Sequence, residues 1–229
     1  DQFSETIQNN GDTIITLTDG SIITFKNTAS ALPPSNDLFQ YYSSLEDGII
    51  PDVTKWDTSS VTNMQYAFAS AVSFNQDISN WDTSSVTKMS GMFTDAYSFN
   101  QDISSWDTSS VYALSGTFWY ATDFNQDISS WDVSSVEYIG YMFANTSSFN
   151  QDIGNWNTSS VINMDSMFYK ADAFDQDLSG LEIQNVTNMN NMLSGSGLST
   201  ANYDATLNGW YQQAITNGVN YGVTLGAEG

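Results

Sequence analysis

Apolar positions recur every 25 residues along most of the chain. Tryptophan marks the register at Trp56, Trp81, Trp106, Trp131 and Trp156, and Leu181 continues it. Valine follows five positions later in all six units, at Val61, Val86, Val111, Val136, Val161 and Val186. Two phenylalanine columns, beginning at Phe68 and Phe74, complete the first five units, and Leu193 continues the first column in the sixth. Since no single unit can bury its apolar side alone, six phased copies indicate a stacked repeat protein.

The apolar spacing changes inside each unit. Val86, Met89, Phe93 and Ala96 fall at i, i+3, i+7 and i+10, a stripe typical of one helix face. The Ser-Ser pair before them suits a helix N-cap. The short stretch 78–83 contains an aromatic and a β-branched residue and reads as a strand. One strand and one helix per unit are therefore predicted.

The predicted fold class is α/β, a leucine-rich-repeat-type solenoid with one short parallel strand and one helix in each 25-residue repeat. Residues 49–198 form the six repeats, 1–48 an N-terminal hairpin and cap, and 199–229 a C-terminal cap, all within one domain. The tryptophan, methionine and phenylalanine columns are expected to form the core and to touch their counterparts in the next repeat.

Both ends of the chain differ from the repeat. Thr13–Thr18 and Ser21–Phe25 flank Asp19-Gly20, which predicts a β-hairpin. At the other end, a helical stripe at Tyr203, Leu207, Trp210 and Ala214 follows a polar Ser199-Thr200 start, and alternation at Val219, Tyr221, Val223 and Leu225 predicts a last strand.

The repeat resembles a known family. The stretch from Phe99 to Val111, FNQDISSWDTSSV, is similar to the repeat of BspA-like leucine-rich repeat surface proteins, with the pattern F-N-x-D-[IL]-S-x-W-D-T-S-x-V. The similarity recurs from about residue 49 to 198, and 198–210 resembles the usual C-terminal cap. Asn157 and the sixth unit depart from the pattern. The resemblance implies an extracellular or cell-surface protein, often large, that binds host or neighbouring-cell components and has no catalytic activity. It implies no specific binding residue, since the family shares none.

The charge balance narrows the possible partners. The chain has twenty-six acidic residues and four basic ones, which gives a net charge of −22. Such a surface repels nucleic acid and anionic lipid. No apolar run is long enough to span a bilayer. We expect this chain to be a fragment of a larger multidomain surface protein.

Catalytic chemistry is disfavoured by residue content. The chain has no histidine and no cysteine, which removes the commonest general base, the commonest ligand of catalytic zinc and all thiolate chemistry. The remaining polar residues recur in equivalent settings rather than forming one singular cluster. We expect a protein that is not an enzyme and requires no cofactor.

Two aspartate columns are candidate binding positions. One runs through Asp52 and its equivalents, and the other consists of Asp57, Asp82, Asp107 and Asp132. Strand alternation would place the second column on the open face of the sheet. These carboxylates either accept local hydrogen bonds in Asx-type turns or form a ladder for calcium or a basic partner. Calcium is thus a candidate ligand, and the sequence leaves the metal site undetermined.

Aromatic residues that vary between units offer a second candidate surface. They are Tyr66, Tyr97, Tyr112, Trp119, Tyr120, Tyr138, Tyr141 and Tyr169. Tyrosine and tryptophan are enriched at binding surfaces, although such residues also fill gaps between neighbouring elements. Trp119, Tyr120 and Tyr141 are singled out as candidate ligand-binding residues.

Together with the resemblance, these observations favour a recognition or adhesion module of a large bacterial extracellular surface protein, which binds an extracellular protein, peptide or glycan through the repeat surface. The alternative is a passive spacer in a surface protein, with calcium as a stiffening ligand. Ice binding through Thr58, Thr83, Thr108 and Thr158 is disfavoured, because Val133 interrupts that column and the predicted strand phase points it inward.

Overall fold

A computed structural model of the chain describes residues 3–7, 13–17, 22–25 and 52–217. Three strands precede the repeats: β1 (Phe3–Ile7), β2 (Thr13–Leu17) and β3 (Ile22–Phe25). They form an antiparallel sheet in the order β1-β2-β3, with Thr13 opposite Phe25. The predicted hairpin is therefore present, and β1 adds a strand that was not predicted.

The repeats form a stack of coils whose core columns run along the stack. Trp81 and Trp106 lie with ring centroids 6.4 Å apart and planes within 4°, and Trp106 and Trp131 are 6.3 Å apart. Phe93 stacks on Phe118 at 5.7 Å, and Phe99 stacks on Phe124 at 5.8 Å. These rings are almost fully buried. The prediction that equivalent core side chains touch from coil to coil is confirmed.

The predicted strand and helix in each repeat are wrong. Within 52–198 the backbone consists of turns, bends and irregular segments, and the β-type pairing between coils is limited to isolated parallel bridges at Asn63, Lys88, Ala113, Tyr138, Asn163 and Asn188. The α/β leucine-rich-repeat fold class is therefore incorrect for this chain. Its single described helix, α1 (Thr200–Asn217), follows the repeats.

Hydrogen bonding explains why the helical stripe does not form a helix. In the second coil, the N–H groups of Met89, Gly91 and Phe93 donate to carbonyls of the next coil at 2.8–3.0 Å. Between them, Met92 and Thr94 donate to residues three positions earlier. Successive turns alternate with inter-coil bonds, so side chains at i, i+3 and i+7 face the core as they would on a helix.

The predicted strand at 78–83 is also replaced by turns. Trp81 N–H donates to the Ile78 carbonyl at 3.1 Å, and Val86 N–H donates to the Thr83 carbonyl at 2.9 Å. Both bonds close tight turns. The chain therefore reverses direction where the sequence pattern indicated an extended segment.

Helix α1 covers the last coil. Ser199 Oγ accepts the Asn202 N–H at 3.3 Å, as an N-cap does. Trp210 is buried, and its indole N–H donates to the Leu178 carbonyl at 3.0 Å. The predicted capping helix is confirmed, although Leu207 is exposed and Thr206 takes the buried position. The predicted strand at 219–225 lies outside the described residues.

Truncating one core tryptophan tests the stack. We expect Trp106→Ala to lower the free energy of unfolding by about 3–5 kcal/mol, because it removes a buried ring and its hydrogen bond to the Ile78 carbonyl. Tyr97→Ala, at an exposed aromatic, is the control and should change that free energy by no more than ~0.5 kcal/mol. Urea denaturation measures both. Equal losses in the two variants would contradict the described core.

Candidate functional site

Two columns of left-handed backbone run along one part of the stack. The first has positive φ, from 53° to 65°, at the following residues: Tyr66, Gly91, Gly116, Tyr141, Ser166 and Asn191. The second has φ from 51° to 68°: Ser70, Asp95, Tyr120, Asn145, Lys170 and Gly195. Glycine takes this conformation without a steric penalty, whereas a bulky side chain there is strained. Tyr66, Tyr120 and Tyr141 are thus unusual occupants of these columns.

These columns shape a groove across the middle coils. The groove has a volume of about 220 Å³ and is lined by Tyr66, Gly91, Thr94, Ser115, Gly116, Trp119, Gly140 and Tyr141. None of the lining residues carries a charge at neutral pH. The groove lining is therefore uncharged, although the chain as a whole has a net charge of −22.

Glycines at the floor decide the depth of the groove. A Cβ on Gly91 would overlap the ring of Tyr66, so that ring lies directly over Gly91. A Cβ on Gly116 would meet nothing closer than 3.8 Å. Gly91 therefore supports the Tyr66 ring, which forms one wall of the groove, and Gly116 leaves space at the floor.

The aromatic walls come together as a cluster. The ring centroid of Trp119 lies 5.7 Å from those of both Tyr120 and Tyr141, with tilted planes. Trp119 remains 38% exposed and Tyr141 41% exposed. The structure thus brings together the three aromatic residues that the sequence singled out, with Tyr66 and its 49% exposed ring as a further lining residue.

The four predicted aspartates lie apart from the groove lining and are held in local turns. Each of Asp57, Asp82 and Asp107 accepts two hydrogen bonds from the serine two residues later, one from its N–H at 3.0–3.1 Å and one from its hydroxyl at 2.6 Å. Asp132 accepts the Ser134 N–H at 2.9 Å. These hydrogen bonds form Asx-type turns, which was one of the two interpretations of this column in the sequence.

Hydrogen bonding also sets the charge state of this column. The serine hydroxyl, followed by the serine N–H, lowers the pKa of each of the four carboxyls. Burial, followed by repulsion from neighbouring aspartates, acts in the opposite direction on the pKa of Asp57 and of Asp107, but both effects are smaller. The column therefore stays ionised despite the like charges along it. No group of three or more acidic residues is placed to hold a metal ion within the described part of the chain, so calcium binding stays a prediction.

Other predicted surface features have structural roles. Thr58, Thr83, Thr108 and Thr158 are buried and donate to carbonyls of the next coil at 2.9–3.0 Å, so the threonine column points inward. Lys88 lies over the Tyr112 ring at 5.6 Å, and Lys170 over the Tyr169 ring at 5.2 Å. These two tyrosines each sit beside a cation and do not line the groove.

Sequence reasoning missed the polar and glycine residues of the groove. Gly91 and Gly116 occupy the same repeat position as Tyr66 and Tyr141, and this alternation of the smallest and a large side chain was the available signal. Thr94 and Ser115 carry no comparable signal. Their place in the groove follows from the turns rather than from the pattern.

Comparison with known families places the chain. The family described as "Mycoplasma protein of unknown function, DUF285" matches twice, at residues 35–137 and 101–210. The chain belongs to this family. DUF285 proteins are repeat proteins related to the BspA-like surface repeat proteins, so the resemblance seen in the sequence holds at that coarser level. Searches of curated proteins and of solved structures returned no significant match. Among helices in the described ranges, none has the length and apolar character that a bilayer crossing needs.

Removing one serine hydroxyl tests the aspartate turns. We expect Ser84→Ala to raise the pKa of Asp82 toward the ordinary carboxyl value of about 3.9. A carboxyl whose pKa is lowered by folding adds stability above its unfolded pKa and loses it as pH falls through the folded pKa. The variant should therefore be less stable than the parent at pH 7, and the difference should vanish in acid.

Carboxyl ¹³C titration by NMR measures the pKa of Asp82, and thermal unfolding at several pH values measures stability. Ser85→Ala is the matched control, because the Ser85 hydroxyl donates to the Ser59 carbonyl rather than to a carboxylate. An unchanged Asp82 titration in Ser84→Ala would contradict the assignment.

Two glycine variants test the groove floor. Gly91→Ala and Gly116→Ala both force alanine into the left-handed region, so each should lose roughly 1–2 kcal/mol of unfolding free energy. Only Gly91→Ala should move the ring resonances of Tyr66, because only its Cβ overlaps that ring. Tyrosine ring NMR shifts decide this, and identical Tyr66 shifts in the two variants would refute the described packing.

Proposed function

We propose that this chain is a non-enzymatic recognition module of an extracellular surface protein and that it binds its ligand through the aromatic groove. The observation that carries the proposal is the exposed cluster of Trp119, Tyr141 and Tyr66 around a glycine floor. Aromatic side chains in a concave, uncharged setting are the usual anchors of binding energy.

Backbone strain supports a binding role for the tyrosines. A left-handed non-glycine residue costs about 1–3 kcal/mol and tends to occur at functional sites. Other coils place glycine, serine or asparagine at the position of Tyr66 and Tyr141, so the fold itself does not require a ring there. Because both rings are substantially exposed, burial offsets little of the strain.

Chemistry of the lining supports binding over catalysis. The eight lining residues include no acid and no base that titrates near neutral pH, and the chain contains no histidine or cysteine. The relation of the family to surface repeat proteins supports an extracellular location. A groove that concentrates aromatic contact area without a nucleophile suits reversible recognition.

A passive spacer is the second candidate. Its support is the stack itself, in which hydrogen bonds join every coil to the next from residue 62 to residue 194. Such continuity makes a stiff rod, and a rod can hold a neighbouring domain away from a cell without binding anything.

Groove variants separate these functions. We expect Trp119→Ala combined with Tyr141→Gly to reduce binding of the purified chain to intact cells at least about tenfold, a change of ~1.4 kcal/mol. Tyr141→Gly should leave thermal stability unchanged or raised, since glycine relieves the left-handed strain. Flow cytometry with labelled chain on a panel of animal and bacterial cells measures binding.

Tyr211→Ala is the matched control, because that ring is 63% exposed on α1 and far along the chain from the groove. It should bind cells as the parent does. Parent, groove variant and control that all fail to bind would support the spacer. Equal binding by all three would place recognition elsewhere on the chain and overturn the groove.

A further inference from the structure

The middle coils lack an internal hydrogen bond that other coils have. Where a coil carries asparagine at the bridge position, its side-chain oxygen accepts the N–H two residues later: Asn63 from Gln65 at 3.0 Å, Asn163 from Asp165 at 2.8 Å and Asn188 from Asn190 at 3.1 Å. Lys88, Ala113 and Tyr138 take the asparagine's place in the three middle coils. None of these side chains provides a carbonyl or carboxylate acceptor.

As a result, N–H donors are left without a protein partner. Across the described residues, no hydrogen-bond acceptor is found for the backbone N–H of Ser90, Ser115 or Gly140. Ser115 and Gly140 line the groove. Buried or half-buried backbone N–H groups are nearly always satisfied, by protein, water or ligand.

The carbonyls beside these donors are already occupied. The Ser115 carbonyl accepts the Gly91 N–H at 2.9 Å, and the Gly140 carbonyl accepts the Gly116 N–H at 2.8 Å. Both carbonyls are therefore engaged within the stack, and the backbone group that each of these residues still has for a ligand is its N–H. An extended peptide strand presents donors and acceptors in turn, so its own N–H groups would find no partner at these two residues.

We propose that the groove binds a neutral sugar residue of a glycan, with oxygens of the sugar accepting the N–H groups of Ser115 and Gly140. This inference rests on the proposed function. A sugar ring combines apolar C–H faces, which pack against aromatic rings such as Trp119, with oxygens that accept hydrogen bonds. The lining supplies both kinds of contact side by side.

Charge and size favour a neutral sugar over other ligands. The net charge of −22 repels anionic glycans, and a basic ligand would be drawn to the ionised Asp57–Asp132 column rather than to an uncharged lining. The volume of about 220 Å³ is below the ~300–1,000 Å³ of drug-sized sites, which suits one ring with its neighbours projecting outside.

One substitution blocks the donor without touching an aromatic ring. Ala113→Asn should give the Ser115 N–H the same side-chain acceptor that three other coils use, and those coils show that the bridge position accommodates asparagine. Ala113→Gln is the matched control, because its longer side chain cannot close the same short turn. Both variants should fold, as judged by thermal unfolding.

The experiment is a titration of the full ¹⁵N-labelled chain with lactose, cellotriose, maltotriose and triacetylchitotriose, and with sialyllactose and a chitosan trimer as charged comparators. We expect at least one neutral oligosaccharide to shift the Ser115 and Gly140 amide signals, with no such shift from the charged ones. Affinity should fall about five- to tenfold in Ala113→Asn, as expected for loss of one hydrogen bond, and stay unchanged in Ala113→Gln.

Several outcomes would overturn the sugar assignment. They are the absence of amide shifts with all neutral oligosaccharides at ~10 mM, well above a millimolar dissociation constant, stronger binding of a charged comparator, or equal affinity of the parent and Ala113→Asn. Groove-dependent cell binding that protease treatment abolishes but enzymatic removal of the surface glycans leaves unchanged would indicate a protein ligand, so the recognition function would stand while the sugar assignment failed.

Discussion

Equal length of every coil is the constraint on which the structure depends. In the repeat column from Trp81 to Trp156, each tryptophan indole donates to a carbonyl 28 residues earlier, as Trp106 does to Ile78 and Trp131 to Ile103 at 3.0–3.1 Å. Asparagine side chains act in the same way along the surface, where Asn75 accepts the Asn100 N–H and the Gln101 amide. Because these bonds and the ring stacks recur with the same sequence offset from coil to coil, a residue inserted into one coil would shift its side chains out of register with both neighbouring coils. The invariance of the 25-residue period follows from this geometry.

A stack of this kind needs a different partner at its end, and α1 supplies one. Asp175 stands where earlier coils have asparagine, still donating its N–H to Asn150 while its carboxylate accepts the Ser199 N–H and the Asn202 amide. Those bonds lower the pKa of Asp175. Trp210 and Gln213 then donate to the Leu178, Ser179 and Leu181 carbonyls, which another coil would otherwise satisfy. The helix closes the core by reproducing the hydrogen bonds of a missing repeat.

Side-chain periodicity predicted the core far better than the backbone. The tryptophan and phenylalanine columns, the hairpin at 13–25 and the capping helix could be predicted because each depends on local spacing or on repetition. The helix and strand of each repeat could not, since alternating turns place Met89 and Phe93 inward at helical spacing while Gly91 and Asp95 adopt left-handed backbone. A stripe of apolar residues indicates which side chains face the core. It does not determine the backbone conformation, because several conformations produce the same spacing.

The same distinction applies to the candidate site. Trp119, Tyr120 and Tyr141 were identifiable because they vary where neighbouring positions are fixed, and the structure brings them together. The aspartates of the Asp57–Asp132 column recur like core residues, and like core residues they have local partners, here the following serines. The sequence could not reveal the N–H groups of Ser115 and Gly140 that lack an acceptor. The missing hydrogen bond is recognised only when these coils are compared with the coils that form it.

Irregularity within the repeat is therefore the informative signal in this chain. A polar position that repeats has its partner either in the neighbouring coil, as the threonine column has, or within its own coil, as the Asp57–Asp132 column has. Ala113 and Tyr138 interrupt the asparagine column, and Gly91 and Gly116 stand between Tyr66 and Tyr141 in the left-handed column. At this place the stack leaves N–H donors, ring faces and space unused in adjacent coils. Stability alone would favour asparagine and glycine at those positions, since both occur there in other coils with their bonds satisfied or their backbone unstrained. Asparagine and glycine are instead replaced together in adjacent coils, although the replacement strains the backbone. A binding surface accounts for that cost, whereas a uniform rod does not.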